Sequence, residues 1–214
     1  MKLDHISYAA SHDQLIDVVQ RLGSILGSPF IDGGLHPRFG TRNFILPLKN
    51  GHYLEVVCPI EHPAAELSPF GKVVSQRAAE GGGWLTWVVS TEEITPIEER
   101  LKRKSVIGYR KRPDGSELQW KQLGVLGTLN DAQLPFFIEW LTKSHPSTDG
   151  KSSVEITKLE LCGNEKIVEN WLGADLTKTF DGIEIEWKNP KEHEDTSGIL
   201  AVHFNTQNGL VRID

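Results

Sequence analysis

Two glutamates occupy the same position in two similar apolar segments, Tyr53–Val57 (YLEVV) and Phe137–Leu141 (FIEWL). Runs of this composition are typical of β-strands. Burying a carboxylate within a strand is unfavourable unless the charge is paired or bound to a metal, although a single strand glutamate is commonly exposed. The matched positions of Glu55 and Glu139 predict that both side chains point into one cleft.

A histidine near the start of the chain extends this pair into a possible ligand set. His5 lies between Leu3 and Ile6 in an apolar segment. One histidine and two carboxylates suit a divalent metal, and Zn, Mn, Ni, Co or Fe would all be compatible. Because no tight spacing such as HExxH is present, a hydrogen-bonded structural histidine is the alternative. We therefore predict a metal site formed by His5, Glu55 and Glu139.

The segment Gly33–Asn43 (GGLHPRFGTRN) is a second region of chemical interest. Its glycines and proline predict a loop that enters a strand. Arg38 and Arg42 could bind a carboxylate or a phosphate, or they could be solvated arginines of a surface turn. The glycine spacing is neither a Walker loop nor a dinucleotide-binding fingerprint.

These residues lie on elements whose order repeats along the chain. The first unit is predicted as strand Leu3–Ala9, helix Gln14–Leu26 and strands Asn43–Leu48 and Tyr53–Cys58. The second is predicted as strand Trp84–Val89, a helix over about 96–104, and strands Val106–Lys111, Glu117–Leu123 and Phe136–Leu141. When the first strands of the two units are aligned, Thr86 falls opposite His5.

A Ser-, Pro-, Gly- and Asp-rich stretch, Ser144–Ser153, separates a third unit from the first two. Strand Val154–Cys162, helix Asn164–Leu172 and three later strands follow it. A lone unit of this type would leave an apolar sheet face uncovered. We therefore predict a homodimer formed through this unit, with packing on the outside of the first two units as the alternative.

Composition excludes several classes of function. The chain has 214 residues, with 23 Lys and Arg against 29 Asp and Glu, a net charge of −6. This charge disfavours nucleic acid or an anionic membrane as the main partner. No apolar run is long enough to span a bilayer, and the first residues, with Asp4 and His5, do not read as a signal peptide. Two cysteines fit a reducing cytoplasm.

Five segments resemble the glyoxalase-like domain family of the vicinal oxygen chelate superfamily: LDHISYA, GGLHPRFGTRNFILPL, HYLEVV, RPDGSELQWK and LPFFIEW followed by SHPS. The resemblance implies an α+β fold in which paired βαβββ modules form a U-shaped, partly open barrel. The modules would span about 1–75 and 80–147 of a domain at 1–147. Residues 150–214 would add a third C-terminal βαβββ-like unit.

The resemblance also implies where a metal would bind. Carried over residue by residue, the ligands are His5, Glu55 and Glu139, with a fourth position near Thr86. Threonine is not a usual ligand, so a metal site with open water positions and a metal-free site both stay open.

The resemblance and the residues together favour a metal-dependent lyase or isomerase acting on a small-molecule substrate. The metal would chelate two adjacent oxygens and stabilise an enolate while a glutamate removes a proton. The alternative is a metal-free protein of the same fold that sequesters small molecules. The predicted catalytic residues are Glu139, Glu55 and His36, and the predicted substrate-binding residues are Arg38, Arg42, Asn43 and Trp120.

Overall fold

The two predicted strand–helix–strand units are two consecutive halves of a barrel. The structure, a computed structural model, describes residues 1–176, 180 and 182–214. The first half contains β1 (Lys2–Ala9), α1 (Leu15–Leu26), β2 (Ile31–His36), β3 (Thr41–Pro47), β4 (Tyr53–Pro59), α2 (Pro63–Leu67) and α3 (Pro69–Ala79). The second contains β5 (Gly83–Ser90), α4 (Thr95–Leu101), β6 (Val106–Lys111), β7 (Glu117–Leu123), α5 (Val125–Asn130) and β8 (Phe136–Trp140).

The eight strands close in the order β1-β4-β3-β2-β6-β7-β8-β5. In each half the first strand runs parallel to the last, β1 beside β4 and β5 beside β8, and the other neighbours are antiparallel. The seam between β2 and β6 is closed by one residue pair, Leu35 with Lys111. The paired βαβββ modules predicted from the sequence are confirmed.

Local sequence signals explain several element boundaries. Helix α1 buries Leu15, Leu22 and Leu26 on one face and ends at Gly27, which has a φ of 65°. Helices α2, α3 and α5, which the sequence analysis did not predict, are short or weakly amphipathic, and α3 begins where the Ser68 hydroxyl accepts a hydrogen bond from Gly71 N–H. No helix among the described residues is long and apolar enough to cross a membrane.

The C-terminal region forms a separate sheet rather than a third copy of the module. Its elements are β9 (Glu155–Cys162), α6 (Glu165–Leu172), β10 (Glu184–Lys188), β11 (Gly198–Thr206) and β12 (Gly209–Ile213). The chain order is βαβββ, as predicted, but the strand order is β10-β9-β11-β12. The first strand, β9, is therefore internal, whereas β1 and β5 lie at one side of their modules.

The apolar face of this second sheet packs on the barrel within the same chain. Leu159, Leu161 and Phe204 belong to the buried cluster that also contains Trp84 and Trp87 of β5. The Trp84 indole N–H also donates to a backbone carbonyl of β12. Among the described residues, this packing covers the apolar face of the second sheet that motivated the predicted homodimer. The homodimer itself stays a prediction without that support.

This packing predicts that the two sheets unfold together. Phe204 is fully buried, whereas Leu210, in the neighbouring strand, is 77% exposed. We expect Phe204→Ala to lower the free energy of unfolding by about 3–5 kcal/mol, because it leaves a cavity beside Trp84. Leu210→Ala is the matched control. Urea titrations followed by tryptophan fluorescence and circular dichroism measure both variants, and equal losses would contradict the shared core.

Candidate functional site

The interior of the barrel contains a cavity of about 400 Å³, counting the space at its open mouth. Its walls combine aromatic rings with a small number of buried ionisable groups. This combination is typical of sites for small molecules, in which apolar walls hold the ligand and a few polar groups orient it. The lining residues are His5, His36, Asn43, Tyr53, Glu55, Phe70, Arg110, Trp120, Gln122, Phe136, Ile138 and Trp140.

Glu55 of β4 provides a carboxylate that is 4% exposed. Its Oε1 accepts a hydrogen bond from Asn43 Nδ2 at 2.6 Å, and its Oε2 accepts one from Ser7 Oγ at 2.6 Å. Burial acts to raise the pKa of Glu55, but the positive charges that His5 and His36 carry when they are protonated and these two hydrogen bonds outweigh it, so the pKa lies below its usual value. Glu55 is therefore ionised at neutral pH.

The Asn43 amide reaches Glu55 because Gly33 lies beneath it. A Cβ at Gly33 would lie 2.2 Å from Asn43 Oδ1 and 3.1 Å from Arg110 Nη1. No side chain fits at that distance, so glycine is required for the close approach. Gly33 thus serves the interior of the barrel, and the segment that starts with it forms β2, a turn and β3 rather than a surface loop.

His5 of β1 lies beside Glu55. Its Nε2 is 4.0 Å from Glu55 Oε2, and its Nδ1 is 2.7 Å from Oδ1 of the fully buried Asp4. The ring stacks on Tyr53 with 4.3 Å between ring centroids. Burial opposes ionisation of Asp4, but hydrogen bonds from His145 and His5 hold its pKa well below the usual range. Because an ionised carboxylate can only accept, His5 carries its proton on Nδ1 and presents an unprotonated Nε2 when it is neutral.

His36 of β2 is a third ionisable group at the cavity. Its Nδ1 is 2.9 Å from Thr41 Oγ1, and its ring meets Trp120 at 5.8 Å and Phe70 at 6.3 Å between centroids. Burial lowers the pKa of His36 to about 4, although the Glu55 charge opposes this shift. The imidazole is therefore neutral at physiological pH.

Arg110 of β6 supplies a cation that the sequence analysis missed. The side chain is 2% exposed and lines the cavity, and its Nη2 lies 3.3 Å from Asp149 Oδ2. Asp149 also pairs with Arg112, so one carboxylate serves two guanidinium groups. Arg110 lies two residues after Gly108 in β6, so both residues are on the same face of this strand. Nothing in the sequence alone indicates that this face is the interior.

Glu139 does not join Glu55. Along β8, Phe136, Ile138 and Trp140 line the cavity, so Glu139 points to the outside of the barrel. There its Oε1 accepts from Lys121 Nζ at 2.8 Å and its Oε2 accepts from Ile94 N–H at 2.9 Å. The predicted convergence of the two glutamates is therefore wrong. Glu55 faces the interior of the barrel, whereas Glu139 faces outward, and a shift of one residue along a strand reverses the face to which a side chain points.

The predicted substrate-binding residues divide into two groups. Asn43 and Trp120 line the cavity. Arg38 lies exposed in the turn after β2. Arg42 points outward from β3 and pairs with Asp32 Oδ2 at 3.0 Å, because it alternates with the inward-facing Asn43. Neither Arg38 nor Arg42 reaches the cavity, so the expectation that they bind a substrate carboxylate there is corrected; the arginine that lines the cavity is Arg110.

The predicted metal ligands do not form a fitting donor set. His5 and Glu55 share the cavity, Glu139 lies outside it, and Thr86 donates its hydroxyl hydrogen to the Trp87 carbonyl. In the part of the chain that the structure describes, no three His, Cys, Asp or Glu side chains are placed to hold a metal ion. Zinc sites in proteins have at least three such protein ligands, so the ligand set predicted from the sequence, in which His5 and Glu55 share the cavity and Glu139 does not, does not form a site of this kind.

The chain matches the glyoxalase-like domain family over residues 3–177. No curated protein sequence matches it. A hypothetical protein from Staphylococcus aureus aligns over 100% of this chain and 85% of its own, with a TM-score of 0.62 and 16% identity. Methylmalonyl-CoA epimerase from Mycobacterium tuberculosis covers 65% of this chain and 86% of its own, with a TM-score of 0.42 and 15% identity. A Streptomyces coelicolor methylmalonyl-CoA epimerase covers 69% and 98%, with a TM-score of 0.44 and 15% identity.

The low pKa of His36 predicts a pH-dependent stability. The native state holds His36 neutral down to about pH 4, whereas the unfolded chain binds that proton at about pH 6.5. The unfolded state thus binds more protons in this window, and the free energy of unfolding falls as the pH falls. Between pH 7.5 and pH 5, we expect the free energy of unfolding of the wild type to fall by about 2 kcal/mol more than that of His36→Gln, as measured by urea unfolding. The exposed His12, changed to Gln, is the control, and an unchanged loss in His36→Gln would refute the assignment.

The donor geometry predicts the response to metals. A ligand that binds the native state raises the midpoint of thermal unfolding, Tm. After treatment with a chelator, we expect Mn, Co, Ni or Zn in about tenfold excess to leave Tm unchanged. A rise in Tm that His5→Ala abolishes would show that a metal site forms in spite of the placement of Glu139.

Proposed function

The chain belongs to the glyoxalase-like domain family, and we propose that it is an enzyme that moves a proton within a small substrate, as isomerases and lyases do. In this proposal His5 and Glu55 are the acid–base groups, and Arg110 stabilises the negative charge that develops on the substrate. No step passes through a metal, because the predicted ligands do not converge.

The observation that carries the proposal is the gap between His5 Nε2 and Glu55 Oε2. The two atoms are 4.0 Å apart, too far for a hydrogen bond. Both can accept a proton, and both residues line the same buried cavity. A substrate C–H or O–H placed beside the pair, with its heavy atom about 3 Å from each of the two atoms, would have two proton acceptors within reach, which is the arrangement that proton transfer requires.

Arg110 supports the same chemistry through its charge. Removal of a proton beside a carbonyl group leaves negative charge on the oxygen, and a fixed cation in a site with little water stabilises that charge strongly. A guanidinium group stays protonated in proteins. Because Asp149 is shared between Arg110 and Arg112, the charge of Arg110 is incompletely balanced and is suited to a substrate oxygen.

The walls indicate the class of substrate. Phe70, Trp120, Phe136 and Trp140 surround the ionisable groups. A small compound with an apolar body and a carboxylate or carbonyl oxygen would satisfy both the aromatic walls and Arg110. Small 2-oxo acids, which have an acidic C–H beside a carbonyl, are the simplest compounds of this class.

The alternative function, sequestration of a small molecule without chemistry, draws on the same aromatic walls. It gives no role to the buried groups that surround Glu55. The two functions differ in one measurable property, since an acid–base site exchanges substrate hydrogen with solvent and a binding protein does not.

Deuterium exchange tests the proposal. With 2-oxobutanoate or phenylpyruvate in D₂O, we expect the protein to accelerate the replacement of hydrogen at C3 by deuterium, followed by NMR. Glu55→Gln keeps the shape of the side chain but cannot accept the proton, and we expect it to slow exchange by about 100-fold or more.

Glu139→Gln is the matched control, because Glu139 is a strand glutamate that points out of the barrel. We expect it to exchange at the wild-type rate. If Glu139→Gln lost the exchange activity and Glu55→Gln kept it, the assignment would be overturned. Tight binding of a probe without any exchange would favour the sequestering protein.

A further inference from the structure

Asp4 is placed beside His5 by an irregularity in strand β1. Neighbouring residues of a regular strand point to opposite faces of the sheet. The pairing of β1 with β5 shifts at this point, since Leu3 pairs with Val89 and His5 pairs with Val88. Asp4 is therefore the extra residue of a β-bulge, a feature that redirects side chains. As a result, the Asp4 carboxylate reaches the ring of the next residue.

Three side-chain nitrogens converge on this carboxylate, one from the next residue and two from a distant part of the chain. Asp4 Oδ1 is 2.7 Å from His5 Nδ1. Asp4 Oδ2 accepts from Trp140 Nε1 at 3.0 Å and is 3.1 Å from His145 Nε2. The tautomer of His145 is defined by its own contact. Its Nδ1 accepts a hydrogen bond from Ser147 N–H, so its proton is on Nε2, which faces Asp4.

The convergence defines what His5 presents to the cavity. A carboxylate that receives two further N–H donors is held in place and accepts from the third, so His5 Nδ1 is the donor to Asp4. Nε2, at the other side of the ring, then has a free electron pair directed toward Glu55 at 4.0 Å. The opposite tautomer would place a hydrogen on Nε2 and leave Asp4 facing an unprotonated Nδ1.

We propose that Asp4 is a positioning residue that fixes the tautomer and the orientation of His5, and that His145 and Trp140 hold Asp4 in turn. The inference rests on the proposed proton transfer for its purpose, but the tautomer itself is a property of the protein without any substrate. Asp4 does not line the cavity, so it acts through His5.

Histidine NMR tests this assignment directly. In ¹⁵N-histidine-labelled protein, the spectrum of His5→Gln identifies the His5 signals by their absence. At a pH where His5 is neutral, we expect the wild-type ring to be protonated on Nδ1. In Asp4→Asn, the amide N–H groups can donate to Nδ1, and we expect the proton to move to Nε2.

Asp32→Asn is the matched control, because it makes the same change at a carboxylate that pairs with the outward-facing Arg42 and not with His5. We expect its His5 tautomer to be that of the wild type. A merely structural Asp4 would give an Asp4→Asn variant of lower stability with an unchanged tautomer, which would overturn the proposal. If Asp4→Asn does not fold, the wild-type spectrum still decides, since a neutral His5 protonated on Nε2 refutes the assignment.

The deuterium exchange assay separates this inference from the proposed function. If wild-type protein catalyses exchange, Asp4→Asn should lower the rate by about 100-fold or more, because a protonated Nε2 cannot accept the substrate proton. A wild-type exchange rate in an Asp4→Asn variant with the altered tautomer would refute the positioning role. If no probe exchanges in wild type, the proposed function fails while the tautomer result stands by itself.

Discussion

The burial of an ionised carboxylate inside an apolar barrel is the constraint on which the interior depends. Glu55 is almost inaccessible to solvent, so its charge must be stabilised by hydrogen bonds and by nearby positive charge. Ser7 and Asn43 supply the hydrogen bonds, and Asn43 can do so because residue 33 has no side chain. Ser7 of β1, Gly33 of β2 and Asn43 of β3 therefore all contribute to stabilising the charge of one side chain on β4.

A single connection after β8 secures both sides of this interior. His145 reaches Asp4 at the first strand of the chain. Four residues later, Asp149 reaches Arg110 and Arg112 near the end of the sixth strand. The short helical turn Pro146–Thr148 lies between these two contacts. The stretch that the sequence indicates as a linker thus also has a structural part in the site, since its His145 contacts Asp4 and its Asp149 partly balances the charge of Arg110.

The error over Glu139 has a definite physical cause. The segments YLEVV and FIEWL share their apolar character and the place of their glutamate, and in both a strand forms. The two strands present opposite faces to the interior. Glu55 shares the inner face with Tyr53, whereas Glu139 shares the outer face with Phe137. Glu139 is stable there because Lys121 is its cross-strand partner in the register of β7 and β8. Its charge therefore needs no metal.

Local patterns in the sequence determined the elements of this protein. Strands β6 and β7 form at the predicted residues, α1 begins within one residue of its predicted start, and the Asn50-Gly51 turn has the positive φ angles that such pairs favour. These features depend on neighbours along the chain, and the same kind of local pattern identified His5, Glu55 and His36 as candidate site residues. Tertiary structure decided the facing of Glu139, the inward position of Arg110, the strand order of the second sheet and the bulge at Asp4. Each of these depends on register between strands that are distant in sequence, where a shift of one residue exchanges the inside of the barrel for the outside.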